Sequence, residues 1–362
     1  MVPPAAPPAS VRPGIVPGYL LARLAASGRF PQAASAALQT LRAGRPPFRA
    51  RIDLSIDETG TMVATLTDAP DRTISDAQNR QTLPGVVVRT EDDPPVADTS
   101  VNEAFDGLGA TFEMLLAAFD RRSVDDAGAP LQATVHYGVD YDNAFWDGSR
   151  MVFGDGDGEV FRGFTGSLSV IGHELGHGVV QYTAGLEYQG QPGALNESVA
   201  DVLGALTEQF TANQTAAAAS WLIGAGIFTA AVQGGALRSM IAPGTAYDDD
   251  ELGKDPQPAH MRDYVTTAED NGGVHINSGI PNRAFALTAT ELGGFAWERA
   301  GMVWYRALTG GLSATASFAD FADATVAAAG KEYGVASEVT AAVRNAWVAV
   351  GVYEDERTDP AG

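Results

Sequence analysis

The first third of the chain contains segments in which hydrophobic and polar residues alternate, which is the period of a half-buried strand. The longest runs over 51–66, where Ile52 and Leu54 fall on one face. Shorter apolar runs at 86–88 and 134–137 have the same character. The pattern therefore predicts strands at these three places.

Elsewhere, apolar residues recur at helical spacing. An amphipathic helix is predicted over 102–119. Further helices are predicted at 169–184, 195–210, 283–292, 296–308, 317–333 and 336–350. Together these elements predict an α+β fold with a mainly-β N-terminal half and a mainly-α C-terminal half. The helix over 169–184 would join the two halves, and the cleft between them is a common place for an active site.

Composition narrows the class of protein. The chain has 362 residues, of which 45% are hydrophobic, enough for one large domain or two ordinary ones. It has no cysteine, which fits either the cytoplasm or a protein exported without disulfides. No apolar run reaches the roughly 18 residues of a membrane span, so no membrane partner is expected. Residues 248–251 are all acidic and are predicted to form a solvated loop.

The most specific sequence is His173-Glu174-Leu175-Gly176-His177, which has the form H-E-x-x-H. Positions i and i+4 lie on one helix face, so His173 and His177 can direct two imidazoles at one metal ion. Glu197, 20 residues beyond His177, can supply a third ligand from a second helix. Two histidines and one carboxylate leave zinc an open position for water. The pattern predicts a zinc-dependent endopeptidase.

H-E-x-x-H also occurs by chance in helices. Here two of only five histidines fall in one turn, and Asp201 follows Glu197 by four residues in an apolar stretch. Such a setting disfavours unpaired charge. Because a metal-bound histidine usually donates its other ring proton to a neighbouring acceptor, we expect Asp201 and Asn196 to support the two histidines.

Several further motifs follow one another along the chain. They are Asn143-Ala144-Phe145-Trp146, Gly154-Asp155-Gly156-Asp157-Gly158, Gly193-Ala194-Leu195-Asn196-Glu197-Ser198, Leu237-Arg238-Ser239-Met240 and the segment 270–280. With the H-E-x-x-H sequence they resemble the thermolysin family of zinc peptidases, the gluzincin type, over roughly residues 70 to 350. Residues 16–21, Val-Pro-Gly-Tyr-Leu-Leu, are similar to the protealysin-like subgroup.

The resemblance implies a role for each matching residue. Zinc would lower the pKa of a water molecule, and Glu174 would take its proton as general base and pass it to the leaving nitrogen. Tyr188 and His275 would stabilise the oxyanion, with Asp270 orienting His275. Arg238 would hold a substrate carbonyl.

The resemblance also implies how substrate is bound. Asn143 and the carbonyl of Ala144 would hold the substrate backbone as an added strand. The segment around His275 is flanked by glycines and is predicted as a loop. The pocket beyond the scissile bond would be lined by Phe161, Phe164, Val170, Ile223 and Leu237. These side chains are all apolar, so we expect cleavage before bulky apolar residues such as Leu, Phe or Ile.

The chain departs from the family at two places. The positions of the family's double calcium site are Ser169, Glu208, Ser220, Leu222 and Ala225, with one carboxylate among them. Because calcium requires six to eight oxygens including charged ones, we predict that this site is absent. The zinc helix also has glycines at 172, 176 and 178, each costing about 1 kcal/mol of helix propensity, which predicts close packing against it.

Charge is distributed unevenly. Residues 1–50 contain six arginines and no acidic residue, so this segment has a charge of +6. Because the net charge of the whole chain is −22, the remaining residues carry a charge of −28. A negative body argues against nucleic-acid binding. We predict that residues 1–50 are a removable propeptide docked on this body, with a helix at 19–24 and a linker at 43–47. The alternative is a disordered tail.

The expected domains are the propeptide at 1–50, an N-terminal catalytic domain at 51–185 and a helical domain at 186–355. The N-terminus lacks a basic start followed by an apolar core, so no signal peptide is expected. The resemblance implies secretion all the same, with a cytoplasmic location as the alternative.

Two alternatives to a zinc endopeptidase fit the sequence less well. An inactive peptidase-like binding protein usually lacks the base or a ligand, and here all are present. An aminopeptidase needs an acidic group for the free substrate amine, and no motif supplies one. The expected partners are protein or peptide substrates and the chain's own propeptide.

Overall fold

The computed structural model describes residues 14–43 and 68–354. The strand predicted over 51–66 and most of the linker predicted at 43–47 lie outside the described residues. Within them, the N-terminal half contains the main sheet and the C-terminal half is mainly helical, so the predicted α+β architecture is confirmed. No helix among the described residues is both long and apolar enough to span a membrane.

The N-terminal half is built on a five-stranded mixed sheet of order β2-β1-β3-β5-β4. Its strands are β1 (Arg72–Asp76), β2 (Val86–Thr90), β3 (Leu131–Val135), β4 (Ala144–Trp146) and β5 (Met151–Phe153). Strands β1, β3 and β5 are parallel, whereas β2 and β4 lie antiparallel at the two edges. Edge strand β4 is therefore paired with another strand of the sheet on one side only.

The predicted strand at 134–137 ends earlier than expected. Strand β3 stops at Val135 because His136 takes a positive φ of 54°, which breaks the ladder. The His136 ring lies between two carboxylates, with Nδ1 at 2.9 Å from Asp155 and Nε2 at 2.9 Å from Asp98. Asp98 directly precedes the helix that begins at Thr99, so these contacts tie the end of β3 to the start of that helix.

Helix α3 (Thr99–Phe119) covers the sheet and packs against helix α4 (Leu168–Gln181). The Asp98 side chain caps α3 by accepting from the Val101 amide at 3.2 Å. Helix α4 in turn packs along α5 (Gly190–Thr211). These helices match the predicted patterns at 102–119, 169–184 and 195–210 within a few residues.

The C-terminal half is completed by five helices. They are α6 (Asp270–Asn277), α7 (Gly279–Leu292), α8 (Ala300–Thr309), α9 (Phe318–Tyr333) and α10 (Glu338–Ala349). The last four correspond to the predicted helices, with starts displaced by up to four residues. Fully buried aromatic side chains, among them Trp347 and Phe321, fill the space between them.

Four two-residue strands join α5 to α6: β6 (Leu222–Ile223), β7 (Arg238–Ser239), β8 (Asp248–Asp249) and β9 (Gly253–Lys254). The prediction of a wholly solvated loop at 248–251 is wrong for Asp249. This side chain is 3% exposed and accepts hydrogen bonds from the amides of Gln233, Glu251 and Leu252. Asp249 therefore stabilises the turn in which it lies.

Residues 14–43, the N-terminal segment, form helices α1 (Gly18–Ala25) and α2 (Pro31–Ala43) on the surface of the body. Helix α1 agrees with the prediction at 19–24, whereas α2 was missed because its buried face consists of alanines, which give little hydrophobic contrast. Arg23 donates to the Leu252 carbonyl at 3.3 Å, and the amides at the start of α2 donate to Glu159 at 3.0 Å. The segment is thus a docked, helical element.

Candidate active site

The two histidines of the H-E-x-x-H sequence lie on α4, which contacts α5 closely. A Cβ built on Gly172 would lie 2.9 Å from Gly204 Cα, and one built on Gly176 would lie 2.8 Å from Ala200 Cα. Any side chain at these positions would force the helices apart. The predicted reason for the glycines is therefore confirmed, and the close approach brings Glu197 of α5 to the histidines.

His173, His177 and Glu197 converge at one point and are all buried. The Nε2 atoms of the two histidines are 3.0 Å apart, and Glu197 oxygens lie 3.6 Å from His173 Nε2 and 3.5 Å from His177 Nε2. Tetrahedral zinc bonded at its usual distances separates its ligands by about 3.3 Å. Glu197 Oε2 is buried with no hydrogen-bond partner among the described residues. The donor set therefore fits a zinc ion.

Each histidine is held through its other ring nitrogen. His173 Nδ1 lies 2.7 Å from Asp201 Oδ1, and His177 Nδ1 lies 2.8 Å from Asn196 Oδ1. Both contacts direct Nε2 toward Glu197, as a metal ligand requires. Asp201 also accepts from Arg238 through both oxygens, at 2.9 and 2.8 Å.

Electrostatics set the protonation states of these groups. Burial lowers the pKa of His177 to about 3, so its imidazole is neutral and able to bind a metal ion. Burial opposes ionisation of Glu197, but the nearby histidines and Arg238 outweigh it and lower its pKa to about 2. The pKa of Asp201 is lowered against burial by Arg238 and His173. Both carboxylates are therefore charged at neutral pH.

Glu174 lies on the same turn, fully buried, and faces the cleft. Its Oε2 accepts from the Trp146 amide of β4 at 2.8 Å, and its Oε1 accepts from the Ile15 amide of the N-terminal segment at 3.0 Å. The first contact fixes the carboxylate against the sheet. The second places it beside the nitrogen of a peptide bond.

Tyr188 and His275 lie on the side of the cleft opposite Glu174. The Tyr188 hydroxyl donates to Glu197 and is 3.2 Å from His275 Nε2. Asp270 contacts His275 twice, at 2.6 Å to Nδ1 and at 2.9 Å to the backbone amide. Burial lowers the pKa of His275, but Glu197 and Asp270 raise it more, and the net shift is upward. A proton is thereby favoured on this imidazole.

The predicted loop around His275 is wrong in part, because the residue lies on helix α6. Four successive residues there, 270–273, have positive φ angles, so the right-handed helical turn begins only after them. Two of them are Gly272 and Gly273, which adopt such angles at little cost. The kink lets the Asp270 side chain reach back to His275.

The N-terminal segment runs through the cleft beside β4. The Ile15 amide donates to the Ala144 carbonyl at 3.1 Å, and the Ile15 carbonyl accepts from Arg238 at 3.1 Å. Asn143 binds both backbone groups of Val16, accepting at 2.9 Å and donating at 3.0 Å. Thus Asn143, Ala144 and Arg238 all hold a peptide backbone, and here that backbone belongs to the chain itself.

The residues predicted to line the apolar substrate pocket are buried, as is Ile15. Ile15 is fully buried and belongs to the same apolar cluster as the predicted pocket residues. These are Phe161, Phe164, Val170, Ile223 and Leu237, none of them more than 3% exposed. Leu237 directly precedes Arg238, whose side chain binds the Ile15 carbonyl.

Sequence reasoning did not anticipate three contacts. They involve Ile15, the backbone amide of Trp146, and Asn282, whose side-chain amide donates to Asp201 at 2.8 Å. A backbone amide leaves no trace in residue identity.

The positions that correspond to the family's double calcium site, which is predicted to be absent, contain a small hydrogen-bonded group. Ser169 and Ser220 hydrogen-bond to the Glu208 carboxyl, and burial nonetheless raises the pKa of Glu208. The Ser169 hydroxyl also accepts from the Gly224 amide at 3.1 Å. Uncharged hydroxyls stand where a cation site needs carboxylates.

Comparisons with known proteins agree with this geometry. The family model described as thermolysin metallopeptidase, catalytic domain, matches residues 49–181, and the one described as thermolysin metallopeptidase, alpha-helical domain, matches residues 184–352. An extracellular metalloprotease of Pectobacterium carotovorum subsp. carotovorum is 51% identical over 283 residues, covering 78% of this chain and 81% of that protein. Protease PrtS of Photorhabdus sp. (strain Az29) is 48% identical over 301 residues, covering 82% and 80%. The solved structure of the protealysin precursor from Serratia proteamaculans superposes with a TM-score of 0.85 at 48% identity, covering 94% of this chain and all of that one.

Proposed function

The chain belongs to the thermolysin family of zinc metallopeptidases and is a metalloendopeptidase, and we propose that it acts near neutral pH. We propose that it is made as a precursor that inhibits itself, and that it cleaves peptide bonds before bulky apolar residues. The single observation that carries the proposal is the path of residues 14–16. Their backbone lies beside Glu174 and His275, with the Ile15 and Val16 side chains both fully buried. A peptide substrate would follow the same path.

The catalytic groups act in sequence on such a substrate. His173, His177 and Glu197 would hold zinc, which when bound supplies a Lewis acid and lowers the pKa of water. Glu174, with Oε2 anchored by the Trp146 amide, accepts a proton through Oε1. Oε1 is also the atom nearest the peptide nitrogen, so Glu174 can deliver that proton to the leaving group.

The opposite wall stabilises negative charge on the carbonyl oxygen. His275 is placed to donate, because its Nε2 lies 3.0 Å from a peptide carbonyl, that of Gly14. Tyr188 adds a hydroxyl beside it. Asp270 fixes the ring, and Arg238 and Asn143 position the backbone beyond the scissile bond.

Specificity is proposed to come from the apolar pocket. Burying a large aliphatic or aromatic side chain is worth roughly 1.5 to 3 kcal/mol. The enzyme should therefore prefer Leu, Ile or Phe over Gly by about tenfold or more on the C-terminal side of the cleaved bond. Full burial of Ile15, whose carbonyl accepts from Arg238 next to the pocket residue Leu237, supports this preference.

We further propose that residues 1–50 are the propeptide, followed by catalytic domains at 51–185 and 186–355. The docked helices α1 and α2 and the substrate-like path of residues 14–16 support inhibition by this segment. Secretion is proposed from the extracellular metalloprotease to which the chain is similar. The family's double calcium site is proposed to be absent, since serine hydroxyls surround Glu208.

The test is hydrolysis of an end-blocked peptide containing Gly-Leu, after removal of residues 1–50, by wild type and by Glu174→Ala. Both proteins should contain about one zinc, and the variant should be slower by two to four orders of magnitude. End-blocking excludes an aminopeptidase. A wild type that holds zinc yet leaves the peptide intact would refute the proposal in favour of a peptide-binding protein.

A further inference from the structure

The bond between Gly14 and Ile15 lies among the groups that act on a peptide bond. On its nitrogen side, the Ile15 amide is 3.0 Å from Glu174 Oε1 and 3.1 Å from the Ala144 carbonyl. On its carbonyl side, the Gly14 oxygen is 3.0 Å from His275 Nε2. The proton-delivering group thus faces the nitrogen and the charge-stabilising group faces the oxygen.

The residues after this bond are fixed in the direction of a substrate. Arg238 binds the Ile15 carbonyl at 3.1 Å, and Asn143 binds both backbone groups of Val16. A chain running in the opposite direction would present carbonyls to Glu174 and amides to Arg238, which is chemically mismatched. The segment therefore blocks the cleft as a substrate does.

We propose that the Gly14–Ile15 bond is a self-cleavage site, an inference that rests on the proposed peptidase function. Water would add its hydroxyl to the Gly14 carbonyl carbon and the C–N bond would break. Glu174 would carry the proton from water to the Ile15 nitrogen. The products are a carboxylate at Gly14 and a new amino terminus at Ile15.

This cut would shorten the N-terminal segment without releasing it. The contacts that dock helices α1 and α2 lie on the retained side, and they include Arg23 with Leu252, Gln32 with Glu159, and the Thr40 hydroxyl with the Asp142 amide at 3.0 Å. The new ammonium group of Ile15 would stay beside the Glu174 carboxylate. The trimmed protein should therefore remain inhibited until the rest of the propeptide is removed.

Intact mass spectrometry of the zinc-loaded full chain tests the proposal. Wild type should lose residues 1–14 with a rate independent of protein concentration, because the bond is already held in the site. Glu174→Gln should be at least about 100-fold slower. Ile15→Leu should be trimmed like wild type, whereas Ile15→Asp, which puts a charge into the apolar cluster, should not be. Leu41→Asp is the control, because Leu41 is 42% exposed on α2.

A second readout does not depend on catalysis. In Glu174→Gln, the Ile15 and Val16 amides should exchange hydrogen slowly, and Ile15→Asp introduced into that background should remove the protection. Cleavage of an end-blocked peptide by Ile15→Asp, together with a wild type that never loses residues 1–14, would overturn this proposal alone. Failure of every variant, Ile15→Asp included, to cleave any peptide would instead refute the peptidase function.

Discussion

Two histidines in the cleft each have an Nδ1 atom hydrogen-bonded to a carboxylate, and only one of these two histidines is placed to bind metal. His173 is supported by Asp201 at 2.7 Å, and His275 by Asp270 at 2.6 Å. The substitutions Asp201→Asn and Asp270→Asn are therefore a matched pair. Both preserve side-chain size and remove one charge, but only the first should affect zinc.

The size of the Asp201 effect follows from its contacts. Its two oxygens accept from His173, twice from Arg238 and once from Asn282, and the side chain is fully buried. Asparagine offers one acceptor oxygen and no charge, which leaves the buried Arg238 uncompensated. Breaking such a pair costs about 3–5 kcal/mol. Loss of a histidine's supporting carboxylate weakens metal binding by about 10- to 100-fold.

The assay is zinc competition against a chelator, combined with urea unfolding followed by tryptophan fluorescence. Asp201→Asn should weaken zinc binding and lower the free energy of unfolding by the amounts given. Asp270→Asn should keep wild-type zinc affinity and lower kcat, because His275 loses its orientation. Unchanged zinc affinity in Asp201→Asn, or an equal loss in both variants, would refute this account of the site.

Three further results are expected. The pKa of His136 is raised to about 9 by Asp155 and Asp98, so its contribution to stability is complete below about pH 6.5 and lost as pH rises through 9. His136→Gln should remove about 1 kcal/mol of the pH-dependent change in the free energy of unfolding measured with urea, a figure that allows for screening by solvent. Identical pH profiles of the variant and wild type would contradict this. Gly176→Ala should destabilise the protein by about 1–3 kcal/mol, because its Cβ would lie 2.8 Å from Ala200 Cα, whereas Gly18→Ala, with nothing within 4 Å, should be neutral or stabilising. A calcium-selective chelator that spares zinc should leave the melting temperature unchanged, and Glu208→Gln should do no harm because burial already disfavours its charge; a large calcium-dependent rise would show that a site exists.

Residue identity and spacing predicted the centre of the site for a physical reason. Ligands four residues apart on one helix must share a face, and α4 does place His173 and His177 Nε2 atoms 3.0 Å apart. The glycines of α4 likewise signalled close contact, because only a missing Cβ permits it. Such local rules depend on helix geometry alone, and folding of the rest of the chain does not alter them.

Other features depend on long-range contacts or on backbone atoms, which sequence patterns do not record. The Trp146 amide that anchors Glu174 would be present with any residue at that position except proline. The passage of Ile15 through a cleft 159 residues away in sequence arises from tertiary docking. The charge asymmetry predicted that the N-terminal segment docks, but only the folded structure identifies the residues that enter the cleft.

One consequence concerns how inhibition and specificity are related. The Ile15 carbonyl accepts from Arg238, which directly follows the proposed pocket residue Leu237, and the Ile15 side chain is fully buried. A substitution that weakens binding of a bulky apolar substrate residue therefore weakens binding of Ile15 as well. Leu237→Ala should relax the preference for Leu over Gly and, by the same free energy, make the full-length precursor less inhibited. If specificity changed while inhibition did not, the segment and the substrate would have to bind at different subsites. Asn143 and Arg238 would then bind the segment without binding a substrate in the same way.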